Sequence, residues 1–205
     1  MTPEDVQALF TSESDEFRFA RWGRPIVPIV FGVDAETLSV VKGAIEVVVG
    51  LAGHQMADTD PEMGANLMVF FLRDWSELNG VPDIDHLIPE MAELLPRLEE
   101  QNANQYRLFR FESDGSIRAA FVFLRMDEVL AELPAETLAL SQIVQVMLLW
   151  GSRAFAETSP LARVAGVEVL RPEIAALIRA AYDPVLPAAL CDASHALRLF
   201  ARLKT

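Results

Sequence analysis

Residues 134–157 read PAETLALSQIVQVMLLWGSRAFAE, and this stretch decides the fold. From Leu138 to Trp150 apolar residues stand on nearly every side: Leu138, Leu140, Ile143, Val144, Val146, Met147, Leu148, Leu149 and Trp150. A helix that is apolar all round is buried among other elements rather than laid on a surface. One polar stripe interrupts it, made of Ser141, Gln142, Gln145 and, two turns on, Ser152. Residues three and four apart share a helix face, so these side chains are expected to look into a common cleft.

The remainder of the chain supplies the body that buries this helix. Its 205 residues suit a single domain, 1–205, with 1–16 as a lead-in helix or loop and 171–205 as C-terminal helices. A hydrophobic share of 52% places it among globular proteins. The lone Cys191 excludes an internal disulfide and is expected to be a small core residue. A net charge of -13 repels phosphate backbones and anionic lipid, which argues against nucleic-acid and membrane-surface partners. No apolar run reaches the ~18 residues that span a bilayer. The start, MTPEDVQALFTSESDEF, has no basic and apolar leader. As it stands the chain reads as cytoplasmic, and as periplasmic if a leader has been removed.

Taken in order, Thr2-Pro3-Glu4-Asp5 opens a short helix with Val6, Leu9 and Phe10 inward. Residues 17–33 read as extended, and Pro25 and Pro28 put the apolar strand 26–31 near a sheet edge. Asp34 caps a long helix over 34–57, in which Gly43, Gly50 and Gly53 are expected to mark close packing on a sheet. Residues 64–75 are apolar on both faces and predict a central strand. A helix over 87–101 should break or kink at Pro96. Asp114-Gly115 joins the arms of a β-hairpin, 106–112 and 116–126. In its second arm Ile117, Ala119, Phe121 and Phe123 should share one face. A loop follows Pro160, and helices over 173–182 and 192–203 close the chain.

Several groups could carry chemistry. Arg18, Arg21 and Arg24 could hold an anion, but local acids or solvent should satisfy them. His54 ends the long helix, where a charged imidazole suits the helix dipole. Asp83, Asp85 and His86 are the one local cluster of metal-competent groups, at a spacing that matches no complete ligand loop. Glu136, Glu157, Asp183 and His195 are candidate acids or bases without a spacing that chemistry demands. No Gly-x-Ser-x-Gly elbow and no phosphate-cradling glycine loop occurs.

Three strings carry a resemblance: Arg171–Pro187, RPEIAALIRAAYDPVLP; Leu140–Leu149, LSQIVQVMLL; and Gly64–Phe71, GANLMVFF. In these the chain resembles the bacterial domain of unknown function 2927 family, whose architecture is similar to metzincin-type zinc peptidases. The resemblance implies an α+β, zincin-like fold: a mixed sheet of about four to five strands, a long N-terminal helix and a buried central helix. Where zinc peptidases carry His-Glu-x-x-His, this chain reads Ser141-Gln142-Ile143-Val144-Gln145, and a third ligand would fall near Gly151. The acidic pair the family tends to carry at Ser141 and Gln142 is absent too. Neutral amides and a hydroxyl neither hold zinc well nor take a proton at neutral pH.

With the helix kept and the metal ligands absent, the chain is expected to be a domain without catalytic residues, metal or cofactor that binds a peptide or protein partner. Its cleft would be lined by Ser141, Gln142, Gln145 and Trp150. Two alternatives stay open: a hydrolase using another constellation, and a small-molecule pocket formed by those four residues with Met147.

Overall fold

A computed structural model describes residues 1–82 and 84–203. The chain enters through α1 (Pro3–Ala8), fixed by a capping box: the Asp5 amide donates to Thr2 Oγ1 and the Thr2 amide to the Asp5 carboxylate. A two-residue strand, β1 (Phe19–Ala20), is the first regular element of the extended 17–33 segment, and β2 (Pro28–Phe31) is the second. β2 lies at a sheet edge, where a strand proline such as Pro28 is tolerated.

Asp34 caps α2 (Ala35–Leu51) by accepting from the Thr37 amide at 2.8 Å, and the helix stops at Leu51 rather than at Ala57. Gly43 and Gly50 do not mark close packing, because a Cβ at either would meet nothing within 4 Å. β3 (Leu67–Leu72) is central, pairing in parallel with β2 on one side and with a later strand on the other. A 3-10 turn over Trp75–Gly80, then α3 (Ile84–Leu87) and α4 (Met91–Glu100), cover one face of the sheet. α4 starts at Met91 rather than at Leu87, which belongs to α3, and it does not break at Pro96 but runs on to Glu100.

The hairpin β4 (Gln105–Phe111) and β5 (Ile117–Arg125) completes a four-stranded sheet in the order β2-β3-β5-β4. β4 alone runs antiparallel, and it forms the edge opposite β2. α5 (Glu128–Ala131) and α6 (Ala135–Met147) follow. The stretch after Pro160 is not a plain loop but a hairpin, β6 (Leu161–Val164) and β7 (Val167–Leu170), closed by Ala165-Gly166 with both φ angles positive. α7 (Pro172–Ala181), β8 (Ala189–Leu190) and α8 (His195–Arg202) end the chain, with β8 pairing antiparallel to β1.

The fold is thus α+β, with one mixed sheet and helices on both faces. Strand alternation divides it into two cores. Leu67, Val69, Ala120, Val122 and Leu124 face α2, α6, α7 and α8, while Met68, Phe70, Leu72, Ala119, Phe121 and Phe123 face α3 and α4. Ile117 breaks the predicted alternation and joins the first core. A bulge between Arg110 and Phe111 shifts the register there, and one extra residue moves every side chain beyond it to the other face. Among the described residues no helix is long and apolar enough to cross a membrane.

Buried polar residues brace the edge strand. Asn66, fully buried, accepts from the Val27 amide at 2.8 Å and donates to the Pro25 carbonyl at 2.9 Å and to Asp60 at 3.1 Å. Asp60 also receives Arg24 at 3.1 Å. Burial alone would raise the Asp60 carboxyl, but hydrogen bonds from the Met63 and Glu62 amides, Arg24 and Asn66 outweigh it and hold the group at about 2.

α6 packs along α2 on the first core. A helix leaves its last four carbonyls without helical partners. Three of those four are met by aromatic donors: Trp150 Nε1 to Val144 O at 3.0 Å, Trp22 Nε1 to Val146 O at 2.8 Å, and Tyr182 Oη to Met147 O at 2.8 Å. Leu148 then turns extended and bridges to Arg21, and the Leu149 amide donates to the Ala20 carbonyl at 2.9 Å. Leu148 is fully buried at this junction. Leu148→Ala should cost about 2–5 kcal/mol in urea denaturation. A loss under about 1 kcal/mol would contradict a tightly packed junction.

Candidate functional site

β4 and α6 wall a cleft of about 1000 Å³, closed on the remaining side by residues 149–161 and Glu168 of β7. Ser141, Gln142, Gln145, Trp150 and Ser152 all line it, so the polar stripe does face one space. Met147 does not: it is fully buried in the first core, and the pocket lining expected of it is corrected. Trp150 is a packed wall, stacked on Phe10 with centroids 5.3 Å apart and edge-on to Phe155 at 5.0 Å.

Gln142 and Gln145 have different surroundings despite sharing the stripe. Gln145 is half-buried, and its amide nitrogen donates one turn back to the Ser141 carbonyl and hydroxyl, both at 3.2 Å. Gln142 is 3% exposed and joins the helix to the edge strand. Its oxygen accepts from Arg107 Nη1 at 2.6 Å, and its nitrogen donates to Gln105 Oε1 at 3.1 Å. Arg107 Nη1 also donates to Gln105 Oε1 at 3.1 Å. Burial lowers the Arg107 guanidinium to about 10, so it remains charged at neutral pH.

Arg107 was not among the residues the sequence singled out. Its signal was present: a charged side chain at 107 on the face of β4 that otherwise carries Phe109 and Phe111.

The other candidates are scattered. Arg24 pairs with Asp60 and Glu112, Arg18 lies 4.0 Å over the Phe111 ring, and Arg21 reaches the Leu186 carbonyl and lies 5.4 Å over Tyr182. Each therefore meets local groups. His54 lies beyond the end of α2, bonded through Nε2 to the Arg24 carbonyl at 2.9 Å. Burial lowers its affinity for a proton more than that bond raises it, so the expected charged cap is a neutral imidazole instead. Cys191 is exposed, not a core residue, because the segment after β8 runs along the surface.

Glu136 is exposed, Asp183 is tied to Arg202, and of the four candidate acids and bases only Glu157 lines the cleft. Glu157 also borders a second cleft of about 1140 Å³ beside α1, which none of Ser141, Gln142, Gln145 and Trp150 lines. Of the metal-competent cluster Asp83, Asp85 and His86, the first lies outside the described residues. Among those described, no three His, Cys, Asp or Glu side chains gather as a metal site.

The stripe does not fit zinc. Gln142 is committed to a guanidinium, whose charge opposes a cation. Nor is there room for a third ligand: a Cβ at Gly151 would stand 2.2 Å from the Thr11 carbonyl. The Gly151 amide donates instead to the Leu9 carbonyl at 2.8 Å, which seats the segment after α1 against this turn. The comparisons with known proteins return no match: no family model, no curated protein and no solved structure is significantly similar to the chain.

Gln142→Ala should cost about 1–3 kcal/mol, because Arg107 and Gln105 lose a buried partner, while Gln145→Ala should cost under about 0.5 kcal/mol. Equal losses in thermal melts would contradict the contrast in their surroundings.

His195 supplies a second prediction. It is fully buried against Phe19, with neither ring nitrogen bonded among the described residues. Burial, with help from Arg198 and Arg202 and against Asp192, pushes it from 6.5 to about 4. The unfolded chain then takes up this proton first. Stability is full above pH 6.5 and falls as pH drops from there towards about 4. His195→Leu should remove that component, read as urea midpoints at pH 7 and pH 5. An identical acid loss in both proteins would overturn it.

Proposed function

We propose that the chain is a non-catalytic zincin-like domain that holds an extended peptide or protein segment along the outer edge of β4. The observation that carries this reading is an antiparallel edge strand bordering a roomy cleft whose opposite wall is the buried helix α6. An edge strand presents unpaired amides and carbonyls that an incoming strand can complete, with alternate side chains entering pockets. That mode of binding needs no metal.

The order of elements supports the zincin-like part. A strand, a long helix, a parallel strand, a hairpin with an antiparallel edge and a buried helix follow one another, and both helices lie on one face of the sheet. That order agrees with the likeness to the domain of unknown function 2927 family. Absence of catalysis is supported by the chemistry of the stripe, where Ser141, Gln142, Gln145 and Gly151 offer neither a zinc set nor a general base. The hydrolase and small-molecule readings have less support. The four candidate acids and bases are dispersed, and Gln142, the most buried polar group of the cleft, is already bonded to protein.

The test is nuclear magnetic resonance of the full chain titrated with capped, extended peptides. Shift changes should concentrate on the β4 amides and the α6 stripe, and N-methylation of alternate peptide amides should abolish them. Peptide cleavage, stoichiometric zinc retained after dialysis, or shifts confined to the cleft beside α1 would each overturn the reading.

A further inference from the structure

Arg107 carries a charge that no carboxylate pairs with among the described residues. Its Nη1 donates to two amide oxygens, of Gln142 at 2.6 Å and Gln105 at 3.1 Å, and both are neutral. Its Nε and Nη2 have no partner among the described residues, and neither is sealed from solvent. Among the described residues no carboxylate stands within ion-pair distance of it. Of the described residues lining the cleft it is the only cation. Arg18 and Arg21 lack an ion pair too, but each lies over an aromatic ring, whereas Arg107 has neither a carboxylate nor a ring among the described residues and meets only amides.

We propose that Arg107 receives the carboxylate of an Asp or Glu side chain on the docked segment, so that the cleft selects acidic peptides. This rests on the reading of β4 as a docking edge. A strand added there puts every second side chain on the face that Arg107 shares with Phe109, with the directly opposed Cβ roughly 4.5–5.5 Å away. The two amides fix the guanidinium without cancelling its charge, leaving Nε and Nη2 as the fork that a carboxylate accepts from in two parallel bonds.

Arg107 stands inside β4, with cleft-lining residues of the strand on both sides, Gln105 and Tyr106 before it and Phe109 after it. A side-chain acid uses that edge in full, whereas a chain terminus at Arg107 would leave part of it bare. Glu157 and Glu168 line the cleft from the 149–168 side. They oppose a run of acids and favour one acid, placed opposite Arg107.

Fluorescence anisotropy with the full chain tests this, using capped strand-forming peptides that differ only at a central Glu, Gln or Lys. The Glu peptide should bind about 10-fold tighter than the Gln peptide, with Lys weakest. Arg107→Met should bring Glu and Gln within about 2-fold of each other. Because that variant could lose stability, the wild-type chain gives an independent reading: its Glu-over-Gln preference should shrink between about 0.1 M and about 1 M salt.

Equal binding of Glu and Gln peptides to the wild type would overturn the assignment and leave the docking edge standing. So would a Glu preference that survives in Arg107→Met, or selection of a free C-terminal carboxylate over an internal acid. Binding of no peptide at all would remove both.

Discussion

The end of α6 is the constraint on which the rest of the structure depends. The helix ends inside the protein, with Val146, Met147 and Leu148 fully buried, so its last carbonyls cannot turn to water. Here Trp22, Tyr182 and Trp150 donate to three of them. These donors come from the N-terminal segment, from the end of α7 and from the turn that follows α6 itself. The capping therefore draws distant parts of the chain to one point. β1 and β8 pair close by, Leu148 and Leu149 join the same backbone, and Gly151 seats against the residues after α1. Each such bond adds only about 0.5–1.5 kcal/mol net, but leaving a buried carbonyl bare costs about 1–3 kcal/mol, so the arrangement is specified mainly by what its absence would cost.

The cleft follows from this placement. With α6 fixed on one face and β5 buried on both, β4 is held at a sheet edge beside the helix. The cleft wall is thus built on regular elements whose positions two separate cores determine. Gln142 crosses from helix to strand and meets Gln105 and Arg107, so these polar contacts between the walls also act as a brace. Rigid elements hold a binding group more accurately than loops do, because the ordering entropy is met by folding and not by the ligand.

Much of this was legible because the signals were local. Asp34 and Thr2 announced helix starts, Pro25 and Pro28 an edge, and the apolar run at 138–150 a buried helix, though that helix stops at Met147 and Leu148 turns extended. The shared orientation of Ser141, Gln142 and Gln145 followed from helical spacing, whereas Trp150 and Ser152 reach the cleft from the turn after the helix, which ends at Met147. What failed depended on tertiary context. Period-2 counting placed Ile117 on the wrong face because a bulge is invisible in alternation. Gly43 and Gly50 suggested contact, yet the helix face they occupy meets nothing. His54 was read from the end of a helix that stops earlier, and its surroundings were set by Arg24, thirty residues away. The 161–170 hairpin was missed because its turn, Ala165-Gly166, lacks the Asn-Gly or Asp-Gly signature.

Arg107 shows why a site is harder to read than a fold. In sequence it is one arginine of a hairpin arm, alternating with Phe109 and Phe111. Two facts of three-dimensional placement give it meaning: one of the two amides it meets, Gln142, comes from a helix more than thirty residues on, and among the described residues no acid accompanies them. A guanidinium satisfied by carboxylates is electrically spent, whereas one oriented by amides keeps its charge. Burial makes that charge costly to maintain, as its lowered proton affinity records. A fold selected for stability alone would place an acid there or remove the arginine, since leaving a partly buried charge unpaired is the more expensive choice. Retaining it beside an open sheet edge is the arrangement expected when the missing half of the pair arrives with a ligand.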